Sequence, residues 1–318
     1  MAVRQREAYR PSTRAAHASN IAAFIEFCLH QRLAYLPPSL LTLLIYFESL
    51  AQRLHTYASV INHVNSLKFF FRAIQVPCPL LQDPAVTKFL KALPKTMRNP
   101  SVRRQPLTIF QLITILTMCD RHGPDQHTYR LAYVVGFFCM LRRSNLAPNW
   151  PHQFDPLRHP VRADLLLTPN GLQLTQRWAK NLQEPSARKI FLPVLPGHVL
   201  DPVVLFEAML IHSPTLSPTQ PLFTLSDGTP LPASHLHDFL KDCVSEMGYS
   251  PAAYGLHSLR IGAASLSRAL GCSTDEIQRH GLWKSNSVQL YLRDNLADKL
   301  AIPRAFASSL LTPFPQTV

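Results

Sequence analysis

Between residues 94 and 106 the chain reads Pro-Lys-Thr-Met-Arg-Asn-Pro-Ser-Val-Arg-Arg-Gln-Pro, with three prolines, four basic residues and no acid. Proline lacks a backbone N–H and pushes the residue before it out of the helical region. Such a stretch predicts an extended, solvated connection rather than a helix or an inner strand. It divides the 318 residues into a front unit (1–94), a linker (95–106) and a larger second unit (107–318). That length is comfortable for two domains.

Charge is distributed unevenly across that division. Residues 1–105 carry fourteen Lys/Arg against four acids (Glu7, Glu26, Glu48, Asp83), a net +10. Only +3 of the total +13 remains for the rest of the chain. So basic a front end argues for a polyanionic partner, and nucleic acid suits it better than a membrane surface. Lys68 and Arg72 in the front unit, with Arg98, Arg103 and Arg104 in the linker, are the candidate phosphate contacts, the linker acting as a strap along the backbone.

With 47% hydrophobic residues the chain can build real cores and is no disordered polymer. Its longest apolar run, Leu131 to Leu141, is too short to span a bilayer. The charged start, Met-Ala-Val-Arg-Gln-Arg-Glu, lacks the apolar stretch of a signal peptide. The expectation is a soluble, intracellular protein: nuclear in a eukaryote, cytoplasmic or nucleoid-associated in a prokaryote. Six cysteines without a C-x-x-C pair read as reduced thiols, and no His/Cys/Asp spacing suggests a metal. No cofactor is expected.

The front unit has helical periodicity throughout. Ile21, Phe24, Ile25 and Cys28 share one face, and Ser39 is placed to cap a helix carrying Leu41, Leu44, Ile45 and Phe47. Tyr57, Val60, Ile61, Val64, Leu67, Phe71 and Ile74 form the longest stripe, and Asp83 to Leu93 makes a fourth, short helix. The second unit is expected to be mostly α with a small sheet. Thr108 caps its first helix, and an apolar helix over 130–141 leads into Arg142. Pro169-Asn-Gly171 joins two strands in a hairpin, and a third strand follows from Lys189. Helices are expected over 202–212 and 232–247, then from Ser258 to Leu270 with Gly271 past the end. Ser273 and Glu276 form a capping-box pattern, and Ser285 is placed to cap a last helix bearing Val288, Tyr291 and Leu292.

Chemistry-bearing residues concentrate near the C-terminus. His257 and Arg260 stand at i, i+3 on one helix face, followed by Trp283 and Tyr291, with Arg142 and Lys180 upstream. Each alone has an ordinary reading: a structural histidine, a dipole partner at a helix end, an exposed lysine, core aromatics. Together they could serve a tyrosine nucleophile. A phenol, with a pKa of about 10, is useful against a phosphodiester only where fixed cations and donors stabilise the developing charge.

In order and spacing the combination resembles the tyrosine recombinase (phage integrase) family over nearly the whole chain. Phe137-Phe-Cys-Met-Leu-Arg142-Arg-Ser-Asn-Leu146 is similar to its first-arginine motif, and Trp178-Ala-Lys180-Asn-Leu-Gln183 to its lysine turn. Tyr254-Gly-Leu-His257-Ser-Leu-Arg260-Ile-Gly and Gly281-Leu-Trp283-Lys-Ser-Asn-Ser-Val-Gln-Leu-Tyr291-Leu-Arg293 are similar to the remaining motifs. The 141–164 segment looks closest to recombinases of DIRS and Crypton mobile elements, and His257 to Arg293 also resembles Cre recombinase. Asn145 stands where many members have Glu, Trp283 where most have His, and the Trp283–Tyr291 gap is one residue shorter than Cre's.

The resemblance implies a helical, SAM-like core-binding domain clamping DNA, followed by an α+β catalytic domain. It implies that Tyr291 attacks phosphorus to give a 3′-phosphotyrosine, while Arg142, Arg260 and Trp283 hold the phosphate oxygens. Lys180 would protonate the leaving 5′ oxygen, and His257 would manage the tyrosine proton. It further implies double-stranded DNA as partner, a homo-tetramer on two DNA sites, and no metal or ATP. Two other readings stay open: a type IB topoisomerase-like relaxation, and a non-enzymatic or domesticated DNA-binding protein using 258–280 as a helix-turn-helix.

Overall fold

The computed structural model describes residues 11–97, 103–178, 187–212, 217–283 and 286–292. The chain divides into two compact units, residues 1–102 and 103–318.

In the first unit, α1 (Pro11–His30), α2 (Leu40–Arg53), α3 (Tyr57–Ala73) and α4 (Pro84–Thr96) form a helical bundle. Ser39 and Thr56 accept from the backbone N–H three residues on, and Asp83 from that of Ala85, satisfying donors the helix starts would leave unpaired. Phe24, Cys28, Leu43, Phe47, Leu50, Val60, Val64, Leu67 and Phe71 are buried together. Enclosing each large apolar side chain stabilises the bundle by about 1.5–3 kcal/mol before chain entropy is subtracted. Most of the periodic residues line the core, but Leu41, Ile45 and Ile74 are 62%, 40% and 38% exposed. Helix α4 passes through Pro94 to Thr96, three residues beyond its expected end. A proline in the last turn forfeits only one hydrogen bond, and Met97 N–H still reaches Leu93 O.

The second unit opens on α5 (Ile109–Met118), closed by a complete Thr108/Gln111 capping box. Helix α6 (Gln126–Phe138) is buried from Leu131 through Phe137, so its apolar run reads as a core helix enclosed on every side. A one-turn helix, α7 (Arg143–Leu146), follows. Strands β1 (Leu165–Thr168), β2 (Gly171–Gln176) and β3 (Arg188–Pro193) form an antiparallel sheet in that order, with Thr168 opposite Gly171 and Leu174 opposite Ile190. Helices α8 (Pro202–His212), α9 (Ala233–Glu246), α10 (His257–Ala269) and α11 (Thr274–Gly281) complete the domain. Ser273 and Glu276 close the capping box of α11, and Gly271 adopts a positive φ just past α10.

Two expectations are corrected here. Residues 103–106 are not solvated linker but part of the second unit: Gln105 N–H donates to Ala253 O at 2.8 Å and Leu107 N–H to Ser258 O at 2.9 Å. The close approach depends on Gly262, where a Cβ would stand 1.9 Å from Leu107 O. The second correction concerns the last element. It is a 3-10 turn over Asn286–Leu290, with Tyr291 in the turn that follows. Ser285, the expected cap, lies outside the described residues.

Candidate active site

Arg142 leaves the end of α6 in extended conformation and heads α7. The backbone reaches it through a tight reversal at Met140, whose φ of 48° lies in the left-handed region. Burial lowers the pKa of its guanidinium, and Tyr291 opposes that shift.

His257 and Arg260 sit on the first turn of α10. Arg260 is 2% exposed and has no carboxylate partner among the described residues. Its terminal nitrogens donate to Met140 O and, at 2.6 Å, to Gly281 O. Nε is left without a partner among the described residues. Burial depresses its pKa to about 9, Arg142 adds to the depression and Tyr291 counters it. His257 is driven to about 4 by burial and then by Arg260, Arg142 and Arg104, so it is a neutral imidazole at ordinary pH.

The indole of Trp283 lies across the Arg260 guanidinium, 3.7 Å from carbon to ring centre. Trp283 is 4% exposed and its N–H has no partner among the described residues. It can take this position because residue 281 is glycine: a Cβ there would stand 1.5 Å from the indole. Tyr291 completes the group. Its ring meets His257 edge-on at 5.0 Å and Trp283 edge-on at 4.9 Å, and it lies 5.5 Å from the Arg260 guanidinium carbon. Ser265 on α10 donates to Tyr291 O at 3.1 Å, fixing the turn that carries the phenol.

Tyr291 thus meets His257, Trp283 and Arg260, and Trp283 meets Arg260, with Arg142 electrostatically coupled to Tyr291, Arg260 and His257. Beside them an open cleft of about 780 Å³ is lined by Arg142, Arg143, Arg158, His159, Trp178 and His257. Asp155, also on its wall, is paired with Arg158 at 3.1 Å. A site with several guanidiniums and so little uncompensated negative charge is built for an anion.

Lys180 and Arg98 lie outside the described residues. Arg103 is exposed, whereas Arg104 donates to Ala252 O at 2.9 Å and to Tyr254 O, holding the loop before His257. Lys68 and Arg72 are exposed on α3 in the first unit. Asn145, where the resemblance led one to look for a carboxylate, is 3% exposed and donates to Trp178 O at 2.7 Å. It ties the Arg142 turn to the segment leading toward Lys180.

Arg188, on β3, is a site residue that motif and spacing did not reveal. Its guanidinium donates to His280 O, and burial lowers its pKa. The His280 ring in turn bonds Phe138 O at 2.8 Å. Arg188 and Arg260 therefore grip the consecutive carbonyls of His280 and Gly281 and set the approach to Trp283. A cation opening an apolar strand was the only sequence signal for it.

No family model and no curated protein matches the chain. Solved structures do. The XerH site-specific recombinase bound to its difH substrate, in a pre-cleavage complex, aligns at a TM-score of 0.64 and 15% identity, over 92% of this chain and 78% of that one. The Tn1549 transposon integrase in complex with transposon right end DNA aligns at 0.60 and 15%, over 96% of each chain. A lambda integrase dimer bound to a COC' core site aligns at 0.55 and 16%, over 90% of this chain and 73% of that one. Identity this low speaks to architecture, and on architecture the chain has the fold of the tyrosine recombinases and integrases.

Proposed function

We propose that the protein is a DNA strand-exchange enzyme that cuts and rejoins duplex DNA through a 3′-phosphotyrosine at Tyr291. One observation carries the reading: within this fold the Tyr291 phenol lies against a neutral His257, a buried Arg260 and the Trp283 indole. The neighbours' names, a site-specific recombinase and two integrases captured on DNA, support the same chemistry.

In the cleavage step Tyr291 Oη bonds to phosphorus while the bond from phosphorus to the 5′ oxygen breaks. The phenolic proton passes to His257, whose uncharged ring can receive it, and the leaving oxygen takes a proton from Lys180. Arg142 supplies a guanidinium fork to the non-bridging oxygens. Arg260, with both terminal nitrogens on carbonyls, contributes its charge and its Nε–H, and Trp283 contributes the indole N–H. The phosphotyrosine conserves the bond energy, so a different 5′-hydroxyl can reverse the step without ATP. Exchange between two duplexes requires four cleavages, which suits four copies acting on two sites, and a mobile element is a natural source of such a gene.

The test is a nicked duplex from which the short fragment bearing the freed 5′-hydroxyl diffuses away after cleavage. Wild type should accumulate a covalent protein–DNA adduct, and Tyr291→Phe should form none while binding DNA as before. Adduct formation by Tyr291→Phe would reassign the nucleophile, with Tyr254 the next phenol to examine. Adduct without transfer to a second duplex would favour topoisomerase-like relaxation, and no wild-type adduct would favour a DNA-binding protein.

A further inference from the structure

The end of β2 is held by more than its strand partners. The ladder with β3 closes at Gln176 opposite Arg188, and past that pair side chains take over. Arg177 donates to Asp164 at 2.6 Å. The carbonyl of Trp178 accepts from Asn145 Nδ2 at 2.7 Å and from Gln176 Nε2 at 3.2 Å. The guanidinium carbon of Arg158, itself paired with Asp155, lies 5.7 Å from the centre of the Trp178 ring. Two consecutive residues thus engage side chains from α7, from the 155–164 segment and from β2 itself.

This clamp joins two parts of the site. Asn145 N–H donates to Arg142 O at 2.8 Å, so its amide projects from the turn that Arg142 heads. Trp178 lines the same cleft as Arg142 and His257, and Lys180 follows it by two residues in the sequence. Asn145 is 3% exposed, and its Oδ1 has no partner among the described residues. Among those residues, then, the side-chain amide serves Trp178 alone. A buried amide with half its hydrogen-bonding capacity unused is poorly suited to a purely structural task, which an apolar side chain would perform at less cost. A carboxylate at position 145 could not make the bond either, because a carbonyl needs a donor and an ionised carboxylate only accepts.

We infer that Asn145 and Trp178 are positioning residues for protonation of the leaving 5′ oxygen. Two residues of chain reach at most about 7 Å, so an anchored Trp178 limits where Lys180 can go. A general acid must come within hydrogen-bond reach of its target, and a displacement of about 1 Å can cost roughly a hundredfold in rate. By tying Trp178 to the Arg142 turn, Asn145 holds the proton donor in register with the guanidinium that grips the phosphate. Arg158 steadies the ring from the cleft side.

The inference rests on the role proposed above for Lys180, and the test separates the two. Single-turnover adduct formation at saturating DNA is measured on two duplexes. One has the ordinary 5′ oxygen at the phosphate where the wild-type adduct forms, and the other has sulfur in its place. In both, Tyr291 Oη bonds to phosphorus. The phosphorus–oxygen bond breaks with a proton from Lys180, whereas the phosphorus–sulfur bond releases a thiolate, which needs none because a thiol has a pKa of only about 8.5. Asn145→Leu keeps the branched shape and leaves Gln176 on the Trp178 carbonyl, so an unchanged melting temperature is expected. It should slow cleavage of the oxygen duplex roughly ten- to a hundredfold and cleave the sulfur duplex at nearly the wild-type rate. Trp178→Ala should show the same selective defect, and Trp178→Phe, which keeps a ring for Arg158, should restore most of the oxygen rate. Equal slowing of both duplexes by Asn145→Leu and Trp178→Ala would overturn the inference, as would no slowing at all. Lys180→Ala distinguishes the two failures. If sulfur rescues Lys180→Ala but not the clamp variants, the clamp alone is refuted; if sulfur fails to rescue Lys180→Ala, the proton-donor role falls and the inference with it.

Discussion

The guanidinium of Arg260 is held at its edges by backbone carbonyls and faced by an indole: its carbon lies 3.7 Å from the centre of Trp283, while its terminal nitrogens hold Met140 O and Gly281 O. Neither residue is independent of the other. Trp283 covers the flat side of a cation that has no acid beside it among the described residues, and Arg260 fixes the carbonyl two residues before the indole.

Trp283→His should therefore retain more cleavage than Trp283→Ala. An imidazole can still stack on Arg260 and donate to a phosphate oxygen, and losing one such donor typically costs ~10²–10³ in rate. Single-turnover adduct formation at saturating DNA measures this. Equal rates for the two variants would leave Trp283 a packing residue.

Gly281→Ala should damage the site while leaving DNA affinity intact. Its Cβ would stand 1.5 Å from the indole, so Trp283 must move, and forcing a side chain into a packed site costs about 1–3 kcal/mol. The double variant Gly281→Ala/Trp283→Ala should melt higher than the sum of the two single losses, because the clash is gone. Additive melting shifts would mean that the loop relaxes around the methyl group.

His257 makes stability depend on pH. Its folded pKa of about 4 lies below the ordinary 6.5, so between those values the unfolded chain binds more protons and stability rises with pH. The contribution is fully present above about pH 6.5 and is lost as pH falls toward 4, to a limit of about 3 kcal/mol. His257→Gln should flatten the urea-unfolding curve against pH in that window. A slope unchanged by the substitution would place the titration elsewhere.

Arg103 and Arg104 should separate, although they are neighbours in sequence. Arg103 is exposed, and if it meets the DNA backbone its replacement by Gln should lower the salt slope by about 0.9. Arg104→Gln should chiefly destabilise the second unit, since the carbonyls of Ala252 and Tyr254 would be deprived of a charged donor. Identical effects of the two on salt dependence would show that both serve the nucleic acid.

By itself the sequence determined the elements whose causes are local. The Asn170-Gly171 turn, the Thr108 and Ser273 caps and the apolar periods of α1, α3 and α6 each depend on residues within a few positions of one another, so propensity and spacing suffice to read them. The same holds for the order of Arg142, His257, Arg260, Trp283 and Tyr291 along the chain. Only the tertiary structure decided what those side chains touch. Met140 O reaches Arg260 across 120 residues and Tyr254 O reaches Arg104 across 150, and no local signal encodes a partner at such separation. Arg188 gained its place in the site because β3 brings it to the His280 carbonyl. Tyr291 was expected on a helix and sits instead just past a 3-10 turn, because contacts with Ser265, His257 and Trp283 outweigh the weak helical preference of so short a segment.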